Sequence, residues 1–249
     1  MNPGACILIL GATSAIAQAY ARRRAPEGAA FLLVARDAER LAAVAADLLA
    51  CGAASADVLV ADLSGIERIE EHVQSLLRSF SGMNEVLIAY GLLEDQAGLE
   101  RDLTGARRIL DTNFTSAALW ILALLRERSA SAPLTVAAIG SVAGDRGRAS
   151  NYLYGGAKGG LERFVEGLAQ KYDGSAVHFL IVKPGFVDTP MTAGMRKSGP
   201  LWVSPDRVAR DIHRALLGRR RVIYSPWFWR PIMAVIRHMP WFAFKRLKV

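Results

Sequence analysis

Gly140-Ser141-Val142-Ala143-Gly144-Asp145-Arg146-Gly147-Arg148-Ala149-Ser150-Asn151-Tyr152-Leu153-Tyr154-Gly155-Gly156-Ala157-Lys158-Gly159-Gly160 is the stretch from which the rest of the chain can be read. Tyr154 and Lys158 are four residues apart, which puts both side chains on one face of a helix, one turn from each other. An ammonium in that position is expected to favour tyrosinate over phenol and to draw a pKa of about 10 toward working pH. A tyrosine tuned this way gives or takes a proton at an alcohol or carbonyl oxygen. Ser141, upstream at a strand end, can hydrogen-bond the same oxygen. Such a trio has a use only where something else supplies or removes a hydride.

The N-terminal segment offers a place for that second component. Cys6 to Leu10 is a short apolar run that reads as a buried strand, and Gly11-Ala12-Thr13-Ser14-Ala15-Ile16-Ala17 then turns into a helix. Backbone N–H groups converge with a helix N-terminus there, a geometry that receives phosphate. A second strand, Phe31 to Ala35, ends at Arg36, where a dinucleotide's adenosine ribose would lie. Strands are expected at 5–10, 30–35, 57–61, 85–90, 134–139, 176–182 and 221–224. Helices are expected at 14–25, 37–50, 65–80, 100–129, 151–172 and 205–217, with Pro205 opening the last. This alternation is that of βαβ units. The fold class is therefore α/β: a single doubly wound Rossmann-type domain (1–225) with a parallel seven-stranded sheet, followed by an amphipathic helical tail (226–249). Residues 188–203 lack periodicity and read as a lid over a substrate site.

With these motifs in view, the chain resembles the short-chain dehydrogenase/reductase family over nearly its whole length. The family's Gly-x-x-x-Gly-x-Gly turn stands here as Gly11, Ala15 and Ala17, the two alanines adding methyls near the pyrophosphate or the strand. Its Asp after the third strand matches Asp62, which the resemblance assigns to the adenine amino group. Its Asn-Asn-Ala-Gly is replaced by Ile88-Ala89-Tyr90-Gly91, which removes strand-stapling hydrogen bonds and leaves Tyr90 flanking the cofactor cleft. Its catalytic set corresponds to Asn113, Ser141, Tyr154 and Lys158, and its Pro-Gly segment to Lys183 through Thr189. The resemblance implies cofactor contacts from Gly11, Thr13, Ser14, Ala15, Ile16, Arg36, Asp62, Leu63, Tyr90, Gly91, Tyr154, Lys158, Pro184, Gly185, Val187 and Thr189. It also implies a water anchored by Asn113, and no metal.

Composition is compatible with one catalytic domain. The chain has 249 residues, 52% of them hydrophobic, with 22 glycines. Cys6 and Cys51 are the only cysteines and lie in apolar surroundings, as in a reduced cytoplasmic protein. No leader is evident at Met1-Asn2-Pro3. Charge is distributed unevenly. After Asp211 there is no Asp or Glu, whereas nine of the 31 basic residues lie there, leaving 22 basic against 23 acidic residues before it. The tail interleaves these cations with Trp227, Phe228, Trp229, Trp241, Phe242 and Phe244, and Ile232, Val235, Ile236 and Met239 recur opposite Arg230 and Arg237. An apolar face argues against nucleic acid, and the apolar run is too short to span a bilayer. The expected partner is an anionic membrane surface at the inner face of the membrane, with core or dimer contact as the alternative.

Arg36, with no acid at Ala35, favours NADP(H), since a guanidinium pairs bidentately with a 2′-phosphate. Asp37 is expected to cap the helix Ala38–Ala50 instead. Within the family, the Gly140–Tyr152 stretch, the Ala89-Tyr90-Gly91 turn and the basic aromatic tail look like reductases acting on decaprenylphosphoryl-2-keto-ribose. That implies an NADPH-dependent reduction of a keto-sugar carried on a polyprenyl phosphate. The alternatives are a small-molecule carbonyl such as a 3-oxoacyl chain or another hydrophobic ketone, or a non-catalytic NADP-binding subunit. A homodimer, or a homotetramer built from it, is expected through Leu119, Leu122, Leu125, Leu161, Phe164 and Leu168.

Overall fold

Apolar runs bounded by turn residues become strands covered on both faces. In the computed structural model, which describes residues 4–80, 82–128, 132–195 and 199–246, β1 (Cys6–Leu10) sends Ile7 and Ile9 into one core and Leu8 and Leu10 into the other. This is the period of two that a doubly covered strand must satisfy on both sides. The remaining strands are β2 (Ala30–Ala35), β3 (Ser55–Val60), β4 (Glu85–Ile88), β5 (Leu134–Ile139), β6 (Val177–Pro184), β7 (Phe186–Val187), β8 (Trp202–Val203) and β9 (Val222–Ser225). Seven form one all-parallel sheet in the order β3-β2-β1-β4-β5-β6-β9, while β7 and β8 pair separately. The strand order reverses between β1 and β4, the place where doubly wound sheets take ligands beyond the C-terminal ends of their strands.

The helices are α1 (Ala15–Arg24), α2 (Ala38–Ala50), α3 (Ile69–Ser79), α4 (Gln96–Leu99), α5 (Leu103–Leu110), α6 (Ser116–Arg126), α7 (Tyr152–Lys171), α8 (Pro205–Leu217), α9 (Trp229–His238) and α10 (Trp241–Phe244). α1, α2 and α8 cover one face, with Ile16, Leu41 and Ile212 in the core; α3, α6 and α7 cover the other through Val73, Trp120 and Leu161. Asp37 caps α2 by accepting from Arg40 N at 3.0 Å, as its position implies.

The single helix expected over 100–129 is broken. Asp95 caps α4 and Asp102 caps α5, and a π-helical turn over Asp111–Thr115 separates α5 from α6. The expected family of dimer residues also divides. Leu119 and Leu122 are exposed, but Leu161 and Leu168 are buried against the sheet. The segment 188–203, of which 196–198 lie outside the described residues, is held at both ends: Phe186 and Val187 pair with Trp202 and Val203, and Asp188 N donates to Val203 O at 2.9 Å.

The tail differs most from expectation. Its inward stripe is Trp229, Ile232, Met233 and Ile236, packed with Val142, Phe186 and Tyr224. This i, i+3, i+4, i+7 set docks α9 on the domain. Two features fix that choice of face. Gly185 leaves a space filled by the Trp229 indole, which a Cβ there would overlap. Arg146 donates to the carbonyls of Ile236 and, at 2.7 Å, of Met239, and its guanidinium stacks 3.8 Å from the Phe244 ring centroid. Trp227, Val235, Trp241 and Phe242 remain 65–71% exposed. Met233→Ala should therefore lower stability by about 2–4 kcal/mol, as a buried methionine deletion does. Val235→Ala should stay within about 0.5 kcal/mol of the parent, as exposed positions do. Chemical denaturation followed by tryptophan fluorescence distinguishes the docked helix from a free one, for which neither change would matter.

Candidate active site

The first turn after β1 is shaped by a backbone requirement. Gly11 has φ +89°, and a Cβ there would come 2.7 Å from the Tyr90 Cβ, so only glycine lets β1 and β4 end this close together. Gly11 N and Ala12 N both donate to Val34 O, at 2.9 and 3.1 Å, tying the turn to β2. Thr13 and Ser14 stand half-buried at the N-terminus of α1, whose first turn holds no acid and whose Ser14 hydroxyl makes no cap bond. Ala15 begins the helix, and Ile16 and Ala17 turn into the core. Unused N–H groups and an absence of negative charge are what a phosphate needs at this place.

Arg36 is exposed at the end of β2. Arg40, from the first turn of α2, reaches the Thr13 carbonyl at 3.4 Å and so stands beside the same turn. Sequence reading missed Arg40, although its i+4 spacing from Arg36 was visible. Asp62 accepts from Ser64 N at 3.0 Å and Ser64 Oγ at 2.7 Å through one carboxylate oxygen. Burial pushes its carboxyl upward, but the Ser64 bonds and the Arg36 charge outweigh that and hold it below the usual range.

Tyr90 corrects the expectation that the strand ends are left without a staple. Its hydroxyl meets Ser116 Oγ at 2.7 Å, and Ser116 Oγ in turn donates to the Leu63 carbonyl. One chain of hydrogen bonds thus joins the ends of β4 and β3 to the start of α6. Burial pushes the Tyr90 phenol well above its ordinary value, so it serves as a neutral link.

Asn113 lies in the π turn and is almost fully buried; such turns place side chains that a regular helix would misdirect. Its Nδ2 donates to Leu92 O at 2.8 Å and Ile109 O at 3.0 Å, while Oδ1 accepts from Leu92 N at 3.1 Å. Both amide protons are engaged, so the side chain clamps the 91–92 turn rather than standing open to water. Gly91 fits between this clamp and α7: a Cβ there would lie 2.6 Å from Asn113 Oδ1 and 3.4 Å from Lys158 Nζ.

Ser141, Tyr154 and Lys158 converge as the spacing implies. Ser141 Oγ accepts from Ala143 N at 3.1 Å and hydrogen-bonds with Tyr154. Lys158 Nζ donates to Ile139 O at 2.9 Å and lies 5.9 Å from the Tyr154 ring centroid. The electrostatics run against the expected tuning. Burial dominates both groups, raising Tyr154 despite its Ser141 bond and lowering Lys158 to about 8 despite the nearby Glu162. Each group is driven toward its neutral form because desolvation exceeds what Ser141 does for the phenol and Glu162 for the ammonium.

Behind this trio is a charged cluster that periodicity did not reveal. Glu162, one turn beyond Lys158, lies 2.7 Å from Lys183 Nζ, which bonds Asp145 at 2.5 Å. Asp145 also accepts from Tyr224 Oη at 2.8 Å. Pro184 ends β6, and Gly185 N donates to Ser225 O at 3.1 Å. Trp229 covers Gly185, and its buried indole N–H has no protein partner. Thr192 Oγ1 donates to Val187 O at 2.7 Å and meets Thr189 across a capping turn. All the sequence-selected residues therefore gather at the C-terminal edge of the sheet.

The sequence matches the family described as short chain dehydrogenase over residues 5–199. It is 37% identical over 241 residues to an uncharacterized oxidoreductase of Mycobacterium tuberculosis, covering 97% of this chain and 96% of that protein. A 3-oxoacyl-[acyl-carrier-protein] reductase of Pseudomonas aeruginosa is 32% identical over 199 residues, 76% of each protein. Among solved structures, an NADP active-site complex from Pseudomonas aeruginosa superimposes with a TM-score of 0.77 at 25% identity, covering 90% of this chain and 97% of the other. With its parallel sheet, its glycine turn, its Tyr–Lys helix and the serine after β5, this chain belongs to the short-chain dehydrogenase family and is an oxidoreductase of that family.

Proposed function

We propose that the protein is an NADPH-dependent reductase that converts a carbonyl to an alcohol, with Tyr154 as proton donor. The observation that carries this reading is the convergence of Ser141, Tyr154 and Lys158 beside the Gly91 turn, at the switch point of the sheet. The nicotinamide cofactor, when bound, supplies the hydride to the carbonyl carbon. Residues 11–16 would hold its pyrophosphate, Asp62, Leu63, Tyr90 and Gly91 its adenosine side, and Pro184, Gly185, Val187 and Thr189 its nicotinamide end. Tyr154, kept protonated by burial, gives its phenolic proton to the substrate oxygen while Ser141 polarises that oxygen. Lys158 compensates the phenolate left behind and holds the nicotinamide ribose. Asn113 fixes the turn against which Lys158 packs, and a relay water held by its side chain would have to exchange with one of the Leu92 bonds.

NADPH rather than NADH is supported by Arg36, by Arg40 beside it, and by the engagement of Asp37 in capping α2. The NADP-bound Pseudomonas aeruginosa neighbour supports the same choice. For the substrate, the Gly140–Tyr152 stretch and the basic aromatic tail support a keto-sugar on a polyprenyl phosphate. The Pseudomonas aeruginosa 3-oxoacyl reductase relative supports a second reading, a 3-oxoacyl chain. Exposed Trp227, Trp241 and Phe242, with Arg230, Lys245 and Arg246 also exposed, support a cytoplasmic enzyme held at an anionic membrane surface. The exposed Leu119 and Leu122 support a homodimer or homotetramer.

Three measurements test these assignments. Tyr154→Phe should cost roughly 10²–10⁴ in turnover, the usual contribution of a general acid; NADPH oxidation assayed with keto-sugar lipids and 3-oxoacyl thioesters reads it, and near-wild-type turnover would leave a binding subunit as the better reading. Arg36→Ala should weaken NADPH about 10–100-fold while changing NADH little, the loss expected of a charge-assisted hydrogen bond; fluorescence titration with both cofactors measures it, and equal losses would remove the role. Vesicle sedimentation should show binding that rises with phosphatidylglycerol content and falls with salt, each basic residue near the surface contributing about 1 kcal/mol. Replacing Trp241 and Phe242 together by serine should release the protein without unfolding it. Binding unaffected by that change would return the tail to a purely structural role.

A further inference from the structure

We propose that Arg146 is a positioning residue for this active site: it clasps the C-terminal tail to the turn that follows Ser141, so that docked α9 and α10 hold the serine in place for the reaction. The inference rests on the role given above to Ser141, that of polarising the substrate oxygen.

The turn Val142–Asp145 sets the Ser141 side chain. Ser141 Oγ accepts from Ala143 N at 3.1 Å and Ser141 O accepts from Gly144 N at 3.0 Å, so a tilt of the turn tilts the serine. The turn is held on two sides. From the sheet, Asp145, whose side chain is 1% exposed, bonds Lys183 of β6 at 2.5 Å and Tyr224 of β9 at 2.8 Å. From the tail, Trp229 and Met233 pack with Val142 at the start of the turn. Arg146 closes the other end. Its Nη1 donates to Ile236 O, to Arg237 O at 3.3 Å and to Met239 O at 2.7 Å. Its guanidinium lies 3.8 Å from the Phe244 ring centroid. One side chain thus gathers the end of α9 and the ring of α10 onto the residue next to Asp145.

Capping α9 does not by itself call for a residue 90 positions away. Within the helix, His238 Nδ1 lies 2.8 Å from Ala234 O, and Arg237 brings a cation to the last turn. What Arg146 adds is the connection to the Ser141 turn. A planar guanidinium donates along its edge while its face meets an aromatic ring, which an ammonium cannot do. Without this clasp the turn keeps its anchor in the sheet and loses the one in the tail. A displacement of about 1 Å is enough to spoil the aim of a catalytic group.

The test uses the full chain carrying carbon-13 at the tyrosine Cζ, with the Tyr154 resonance assigned from its loss in Tyr154→Phe. That resonance reads the Ser141–Tyr154 hydrogen bond, and its position in Ser141→Ala marks the bond broken. Arg146→Met, which keeps the aliphatic stem and removes the guanidinium, should move the resonance toward that position. In the Ser141→Ala background the same change should leave it in place. With 2,3-butanedione as the probe ketone, Arg146→Met should lower kcat roughly 10–100-fold, the effect of a misplaced group, while NADPH affinity stays unchanged. Added to Ser141→Ala, it should lower kcat no further. A Tyr154 resonance unmoved by Arg146→Met, or moved equally in both backgrounds, would overturn the proposal. Equal losses of kcat in both backgrounds, the signature of independent sites, would do the same. If Arg146→Met does not fold, Phe244→Leu decides by the same comparison: a shift seen only where Ser141 is present supports the proposal, and none sinks it. Undiminished turnover in Ser141→Ala would instead remove the role of Ser141 itself, so the two failures are separable.

Discussion

Lys158 is a cation held at 4% exposure, and much of the architecture around it compensates for that desolvation. An ammonium removed from water must recover hydrogen bonds and opposite charge from the protein. The Ile139 carbonyl supplies a bond at the end of β5. Gly91 then allows the β4 turn to approach, because any side chain there would meet both Lys158 and Asn113. Asn113 in turn needs the π turn to face inward and clamp Leu92. The break in the helix over 100–129 and the glycine at 91 thus meet at the same place, beside Lys158.

The same economy of space governs the tail. α9 is apolar on more than one side, and the domain accepts only the side that fits. Gly185 provides the hollow for Trp229, while Arg146 satisfies carbonyls at the end of α9 that would otherwise lack partners. Asp145, next to Arg146, belongs to the network that reaches Glu162. The tail is therefore linked through two adjacent residues to the turn bearing Ser141. Its outer aromatics stay exposed.

How much of this could be read in advance depended on range. Tyr154 and Lys158 were legible because four-residue spacing on a helix fixes their neighbourhood, and Asp37 was legible as a cap because capping is local. The Asn113 π turn was not, because α5 before it spans only eight residues, too few to show that the apolar phase shifts at Asp111. Glu162 stood in plain view at the next i+4 position, yet its partner Lys183 lies on a strand 21 residues later. Without that partner a helical glutamate reads as solvated. The stripe chosen for α9 was displaced for the same reason, since the choice belongs to Gly185 and Arg146. Four-residue spacing shows that Tyr154 and Lys158 are neighbours but not how deeply they are buried, and burial pushes the phenol up and the ammonium down.

Substitutions in the glycine turn show how the fold absorbs departures from the family pattern. Ala17 is fully buried in the core formed with α2 and α8, so its methyl fills space between helix and sheet instead of obstructing a ligand. Ala15 is the first residue of α1, where alanine costs the helix nothing. Tyr90 replaces an amide staple by a phenol that reaches Ser116 and, through it, Leu63. Each change keeps the ends of β1, β3 and β4 in register while leaving the N–H groups at the start of α1 unobstructed. What the site requires is therefore the position of backbone donors and the absence of nearby acids. Those two conditions are met by Gly11 with its positive φ and by an Asp37 engaged at the N-terminus of its own helix.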